Sequence, residues 1–300
     1  MVQTEPHPDV ILPTEPAHDL PQVRSIWPGD LVDALAKGLA DFRAMPTHVI
    51  FLSLIYPIAG LIIMRWTFGY DILPMLYPLL AGFALIGAFA AIGLYELSRR
   101  REMGLDTSWK HAFDVVHSPS LWSIAALGLL LFAIFGVWLA VAHGLYVAHF
   151  GGDGQPVTLA ELGRRIFQTP QGRNLIVTGN AVGFLFALAA FALSAVSFPL
   201  LLDRNVGMAV AIVTSIRTIL KNPFTMALWG LIVAFGLAVG CLPFLFGLAV
   251  VMPILGHTSW HLYRKLVARD ASPRPEYHPK PKAERYAADF PSSLFLPLKK

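Results

Sequence analysis

Residues 121–147 read LWSIAALGLLLFAIFGVWLAVAHGLYV, with no Asp, Glu, Lys or Arg anywhere in the run. A membrane-crossing helix needs about 20 mostly apolar residues, and the stretches 47–68, 73–97, 175–202, 224–240 and 242–262 reach or approach that length. Only 14% of the chain is charged, 55% is hydrophobic and the mean hydropathy is +0.59, whereas soluble globular chains average about 25% charged residues. Lipid is therefore the expected solvent. The fifth and sixth stretches are separated at Gly240-Cys241-Leu242-Pro243, where Pro243 suits the first turn of a new helix. The expected fold is all-α, a polytopic membrane protein with six transmembrane helices.

With the N-terminus placed inside, every Lys and Arg falls on an inner segment except Arg65, Arg164, Arg165 and Arg173. That bias marks the cytoplasmic side, so both termini are expected in the cytoplasm. The net charge of +4 follows from the same bias. No aromatic and basic surface module is left over, and nucleic acid is not an expected partner. No apolar signal core lies in the first 30 residues, so a cleaved secretory signal is not expected. The single cysteine, Cys241, excludes an internal disulfide, a thiolate metal cluster and a paired-cysteine redox motif.

A second regularity lies across the spans. Residues 207–240 form a unit of half-apolar helix, Asn222-Pro223 hinge and uninterrupted apolar span, and the pattern recurs at 31–63 around Pro46 and at 109–138 around Pro119. Four residues before each proline stand Phe42, Val115 and Ile219; seven before stand Leu39, Ala112 and Ile216. One helical face is thus apolar in all three copies. Ser118 and Asn222 are placed to cap the helix that each proline opens. In the first unit Asp30 can cap a helix with an apolar stripe at Leu31, Leu35, Leu39 and Phe42, leaving Asp33, Lys37 and Asp41 off it. The six spans therefore read as three repeats of an amphipathic interfacial helix plus a transmembrane hairpin. Close helix contacts are expected at Gly179, Gly183 and Ala187, at Gly230 and Ala234, and at Gly236 and Gly240.

The chain divides into a disordered cytoplasmic tail at 1–26, a six-span membrane domain at 27–268 and a disordered, basic, Pro-rich cytoplasmic tail at 269–300. On the outer side, Thr158 with Glu161 three residues on has the spacing of a capping box.

Ionisable groups in mid-span usually mark ion or proton pathways, and here they sit at span ends instead. Glu96 lies three and four residues before Arg99 and Arg100, and Asp203-Arg204 closes the fourth span; both read as interfacial ion pairs. In PILGHTSWHLYRKL, His257 and His261 stack on one helical face beside Trp260 and Tyr263. That spacing can hold one metal ion, for which His48, His111 or His117 would supply a further ligand. The other reading is an interfacial belt of aromatic and basic side chains.

The runs GLYELSRR (93–100), SFPLLLDRNV (197–206) and LGHTSWHLYRKLV (255–267) make the chain resemble the integral membrane proteins of domain-of-unknown-function family 2189, over roughly residues 24–268. The resemblance implies a six-span bacterial inner-membrane protein with no established activity. It marks Glu96, Arg99, Asp203, Arg204, His257, Trp260, His261, Tyr263 and Arg264 as motif positions without giving any a catalytic role. Some relatives carry cytochrome-oxidase-like labels, but a haem-copper subunit needs several span-borne histidines, and this chain does not supply them. Three functions follow in order: a non-enzymatic scaffold or regulator acting through protein or membrane-lipid partners at the cytoplasmic face; a transporter or channel for a small solute, lined by Asn180, Ser194 and Ser197; and a metal- or haem-dependent redox protein using His257 and His261. No cofactor and no catalytic residue is expected on the first reading.

Overall fold

The computed structural model describes residues 10–12, 20–45, 54, 58, 60–62, 65, 73–80, 91–151, 158–243, 245–269 and 276–278. Helix α1 (Pro28–Ala44) is followed by a 3-10 turn at Leu73–Met75, α2 (Ile92–Glu102) and a 3-10 segment at Trp109–His117. Then come α3 (Leu121–Phe150), α4 (Leu159–Gln168), α5 (Pro170–Ser194), α6 (Ser197–Asp203), α7 (Met208–Lys221), α8 (Pro223–Cys241) and α9 (Leu248–Leu266). A three-residue strand at Val10–Leu12 pairs antiparallel with Glu276–His278.

Among the described residues three helices are long and apolar enough to cross a membrane: α3, the rod of α5 and α6 from Pro170 to Asp203, and α8. They correspond to the third, fourth and fifth expected spans. The first, at 47–68, and the middle of the second lie largely outside the described residues. The sixth departs from expectation. Its helix begins at Leu248 rather than at Pro243, after a turn in which Leu245 takes φ 70°, and its C-terminal half carries His257, His261, Arg264 and Lys265. Among the described residues α9 is buried on most sides, and its interface with α1 is the most extensive.

The span helices differ from α9 in what they show outward. On α3, Ile124, Leu127, Leu131, Phe135, Trp138 and Ala142 form a buried stripe at helical spacing, while Trp122, Leu129, Phe132 and Val137 are exposed. Both faces are apolar, as expected for a helix with protein on one side and hydrocarbon on the other. Small residues set the close approaches only in part. Gly183 seats the Trp138 ring, and Gly236 and Gly240 sit under Val251, Leu255 and Leu248 of α9. Ala187 and Ala234 lie on exposed faces instead.

Two of the three expected repeat units fall within the described residues. Pro119 precedes α3, Pro223 opens α8, and Pro46 lies outside. Phe42, Val115 and Ile219, each four residues before its proline, all pack on the core as expected. The second interfacial element is a 3-10 segment rather than an α-helix. At the hinges Ser118 Oγ accepts the Ser120 N–H at 3.2 Å, although α3 itself starts only after Ser120, whereas Asn222 makes no side-chain cap and turns its amide elsewhere. Helix α1 also begins earlier than expected, at Pro28. Asp30 serves it from inside, its Oδ2 accepting the Trp27 N–H at 2.9 Å. Thr158 does cap α4, accepting the Glu161 N–H at 3.2 Å.

Residues 20–26, grouped with the N-terminal tail on composition, form an extended strap. Its Arg24 N–H donates to Leu266 O at 2.7 Å, and Gln22 O accepts from Ala268 N–H at 2.9 Å. The strap lies between the end of α9 and the α7–α8 hinge, where Asn222 Oδ1 accepts the Ile26 N–H at 2.8 Å and Asn222 Nδ2 donates to Arg24 O at 3.0 Å. The strap is thus held in place because Asn222 and the end of α9 satisfy backbone groups that water would otherwise hold.

Candidate functional site

The largest fully buried side chains include Trp260, Arg100, Arg204, Tyr263 and Phe198, and these gather at one end of the spans. That end holds α1, the last turns of α2 and α9, α6, α7 and the first turns of α3 and α8. Its polar side chains form a collar of linked clusters, each spanning several helices.

The first cluster is built on Asp41, which its own helix buries. The stripe of α1 that meets α9 is Leu31, Ala34, Gly38 and Asp41, rotated from the expected one toward small residues. The reason is at Gly38, where a Cβ would fall 2.9 Å from the Cα of Thr258, so only glycine lets the two backbones approach. That approach carries Asp41 into the interface. Ser98 Oγ donates to Asp41 Oδ2 at 2.6 Å, His261 Nε2 lies 2.8 Å from the same oxygen, and the Arg101 guanidinium pairs with Oδ1. Ser98 Oγ is also 2.7 Å from His257 Nδ1. A hydroxyl has one proton; since Ser98 gives it to the carboxylate, it accepts from His257, which fixes the Nδ1–H form of that ring. Burial pushes the Asp41 carboxyl up, but the bonds from His261 and Ser98 outweigh it and hold the group below its ordinary value of 3.8.

The second cluster is built on Glu102 at the end of α2. Arg264 Nε and Nη2 each reach it at about 3.0 Å, Trp260 Nε1 donates to Oε2 at 3.1 Å, and Arg269 adds a further contact. The Arg264 guanidinium lies 5.6 Å from the Trp260 ring centroid and also reaches Asp203 Oδ2 at 3.2 Å, where Tyr263 OH donates at 2.6 Å. Arg204 Nε is 3.6 Å from the same Asp203 oxygen, and its Nη2 donates to Ala268 O. Burial raises the Glu102 carboxyl, and the Arg264 bonds more than reverse this.

A third, more exposed cluster places Lys265 Nζ between Asp30 Oδ1 at 2.8 Å and Asp33 Oδ2 at 2.9 Å. The Lys265 bond lowers Asp30, and Asp30 in turn raises Lys265. Beside these, Arg99 grips Glu96 with Nε at 2.8 Å and Nη2 at 3.2 Å, both groups being buried.

The motif positions singled out from sequence therefore lie in the collar. Glu96 and Arg99 pair as their spacing implies; Asp203, Arg204, Trp260, Tyr263 and Arg264 share one cluster; His257 and His261 share another. Asp41, Ser98 and Glu102 were not singled out as site residues and Asn222 was read only as a local cap, although each is a hub. As for the metal reading, among the described residues no three His, Cys, Asp or Glu side chains are placed to hold an ion. His111 is engaged with Asp114 at 2.7 Å and Asp106 at 3.1 Å, and His48 lies outside the described residues. Two of the three polar groups suggested to line a pore turn to other partners: Asn180 Oδ1 accepts from Tyr77 OH, while Asn180 Nδ2 and Ser194 Oγ donate to carbonyls on their own helix; the third, Ser197, is buried with no hydrogen-bond partner for its hydroxyl among the described residues.

Apolar helices of spanning length under a sealed polar collar define a helical integral membrane protein. The family described as predicted integral membrane protein, domain of unknown function 2189, has a model that matches residues 76–203. The resemblance read from sequence therefore holds over that stretch, which includes GLYELSRR and ends at Asp203; the closing run at 255–267 lies beyond it. No curated protein and no solved structure is similar enough to the chain to count as a match.

Proposed function

We propose that this is a non-enzymatic scaffold or regulatory protein of the bacterial inner membrane, with six spans in three repeats, both termini in the cytoplasm, and protein or lipid partners at the collar. The observation that carries this reading is the closed character of the polar clusters. Ser98, His257 and Asp41 are the residue types of a hydrolytic triad, but in a triad the histidine stands between the hydroxyl and the carboxylate. Here Ser98 stands between His257 and Asp41, and Ser98 and His257 are both 0% exposed. A hydroxyl that is sealed and already committed to a carboxylate has neither an activating base nor a substrate. Buried charges in pairs across four helices fix how those helices meet, which is the work of a platform.

The test is photocrosslinking in native membranes from probes at Lys37 and Arg217, both exposed on the collar. Recurrent protein or lipid adducts are expected at one or both. Adducts at neither position would remove the reading.

A further inference from the structure

On the rim of the collar the strap and α7 enclose a groove of about 550 Å³, lined by Leu20, Gln22, Val23, Arg217, Leu220 and Lys221. Three properties of this groove bear on what fits it. Its charge is of one sign: Arg217 and Lys221 are one helical turn apart and thus on one face, and among the described residues no carboxylate lines the groove. Lys221 Nζ gives one bond to Val23 O at 2.8 Å, leaving two of its three N–H groups to offer. Arg217 is exposed and has no hydrogen bond or ion pair among the described residues. Its walls are also apolar, since Leu20 is 48% exposed and Leu220 74%, and Phe224 stands exposed just below. Finally its depth is set by the fold. The span helix α8 starts at Pro223, two residues after Lys221, so the groove lies where the hydrocarbon ends and the headgroups begin.

We infer that the groove is a seat for an anionic phospholipid of the surrounding leaflet, its phosphate held by Arg217 and Lys221 and the start of its acyl chains lying along Leu220 and Phe224. This deepens the proposed function, on which it rests, by naming a lipid as the partner at this part of the collar. A soluble phosphate would satisfy the two cations but leave Leu20, Leu220 and Phe224 without use. A basic group at a lipid surface contributes about 1 kcal/mol of attraction to anionic headgroups, roughly a five-fold change in affinity per residue.

The full chain, purified in detergent and mixed with phosphatidylglycerol or phosphatidylcholine, is compared by native mass spectrometry with R217Q, R217Q/K221Q and the control R164Q. Wild type and R164Q are expected to retain phosphatidylglycerol over phosphatidylcholine, with roughly five-fold weaker retention in R217Q and a further loss in the double variant. Millimolar inorganic phosphate is expected not to displace the lipid. R217Q breaks no side-chain hydrogen bond or ion pair among the described residues, so its thermal midpoint should match wild type and separate lost binding from lost folding. Equal retention by wild type and R217Q, no preference between headgroups, or displacement by phosphate would each overturn the inference. Those results would leave the scaffold reading standing if protein adducts still form at Lys37 or Arg217, whereas absence of every adduct removes that reading.

Discussion

His261 Nε2 lies 2.8 Å from Asp41 Oδ2, joining the last long helix to the first across 220 residues of chain. Asp41 also holds Ser98 and Arg101 of α2, so one carboxylate ties three helices. Replacing it with Asn keeps the shape and removes the charge to which these donors point. D41N should lose about 2 kcal/mol of stability, read as a lower thermal midpoint in detergent, while D33N, on a more exposed carboxylate, should move it far less.

Acid should loosen the collar in a predictable window. Asp41, Asp30, Asp33 and Glu102 are all held below their ordinary values of 3.8 or 4.5. A depressed carboxyl contributes stability that is complete above its unfolded-state value and lost as pH falls through the folded one. These groups should therefore leave the thermal midpoint flat from neutrality to about pH 5 and pull it down below about pH 4. D41N should show a shallower acid limb than wild type. An identical limb in the variant would mean that Asp41 is not held as described.

Glycine at position 38 is a steric requirement. A Cβ there meets the backbone of Thr258, which has no flexible end to yield, whereas one at Gly29 meets nothing within 4 Å. G38A should cost about 1–3 kcal/mol and G29A should be neutral or better. Circular dichroism melts of the two variants side by side would decide it.

Asn222 should control the strap. N222A removes the acceptor for the buried Ile26 N–H and the donor to Arg24 O, leaving an unpaired backbone group that costs about 1–3 kcal/mol. Trypsin should then cut after Arg24 much faster than in wild type. Unchanged cleavage would show that the remaining contacts, with Leu266, Ala268, Lys221 and Thr225, hold the strap without Asn222.

Sidedness is open to a direct check. In a C241S background, R164C on α4 should react with a membrane-impermeant maleimide in intact spheroplasts, and K37C on α1 only after permeabilisation. The reverse pattern would invert the proposed orientation.

What could be read in the sequence, and what could not, follows the range of the interactions. The apolar runs that became α3, the α5–α6 rod and α8 are local and were legible to within a few residues, as were the Glu96–Arg99 pair and the Thr158 cap. The stacking of His257 and His261 on one face was also legible, being a property of α9 alone. Their partner was not, because Asp41 is brought to them by a helix contact that depends on Gly38 and Thr258. The bulky stripe expected on α1 does pack on the core through Leu31, Leu35 and Phe42, but the closest approach to α9 is made by the small residues Ala34 and Gly38, which bulk alone does not single out. Asn222 misled in the same way: beside a proline its side chain has an obvious local use, but the strap some 200 residues earlier supplies a better one.

The strap also orders events in time. Its seat is completed by Leu266 and Ala268, which leave the ribosome long after the strap itself. Until α9 is inserted, Asp41 has no His261 and the backbone at Arg24 has no acceptor at Leu266. A chain cut short before α9 would thus leave Asp41 without His261 and the strap without its seat, so the rim of the collar can close only after α9 has been made.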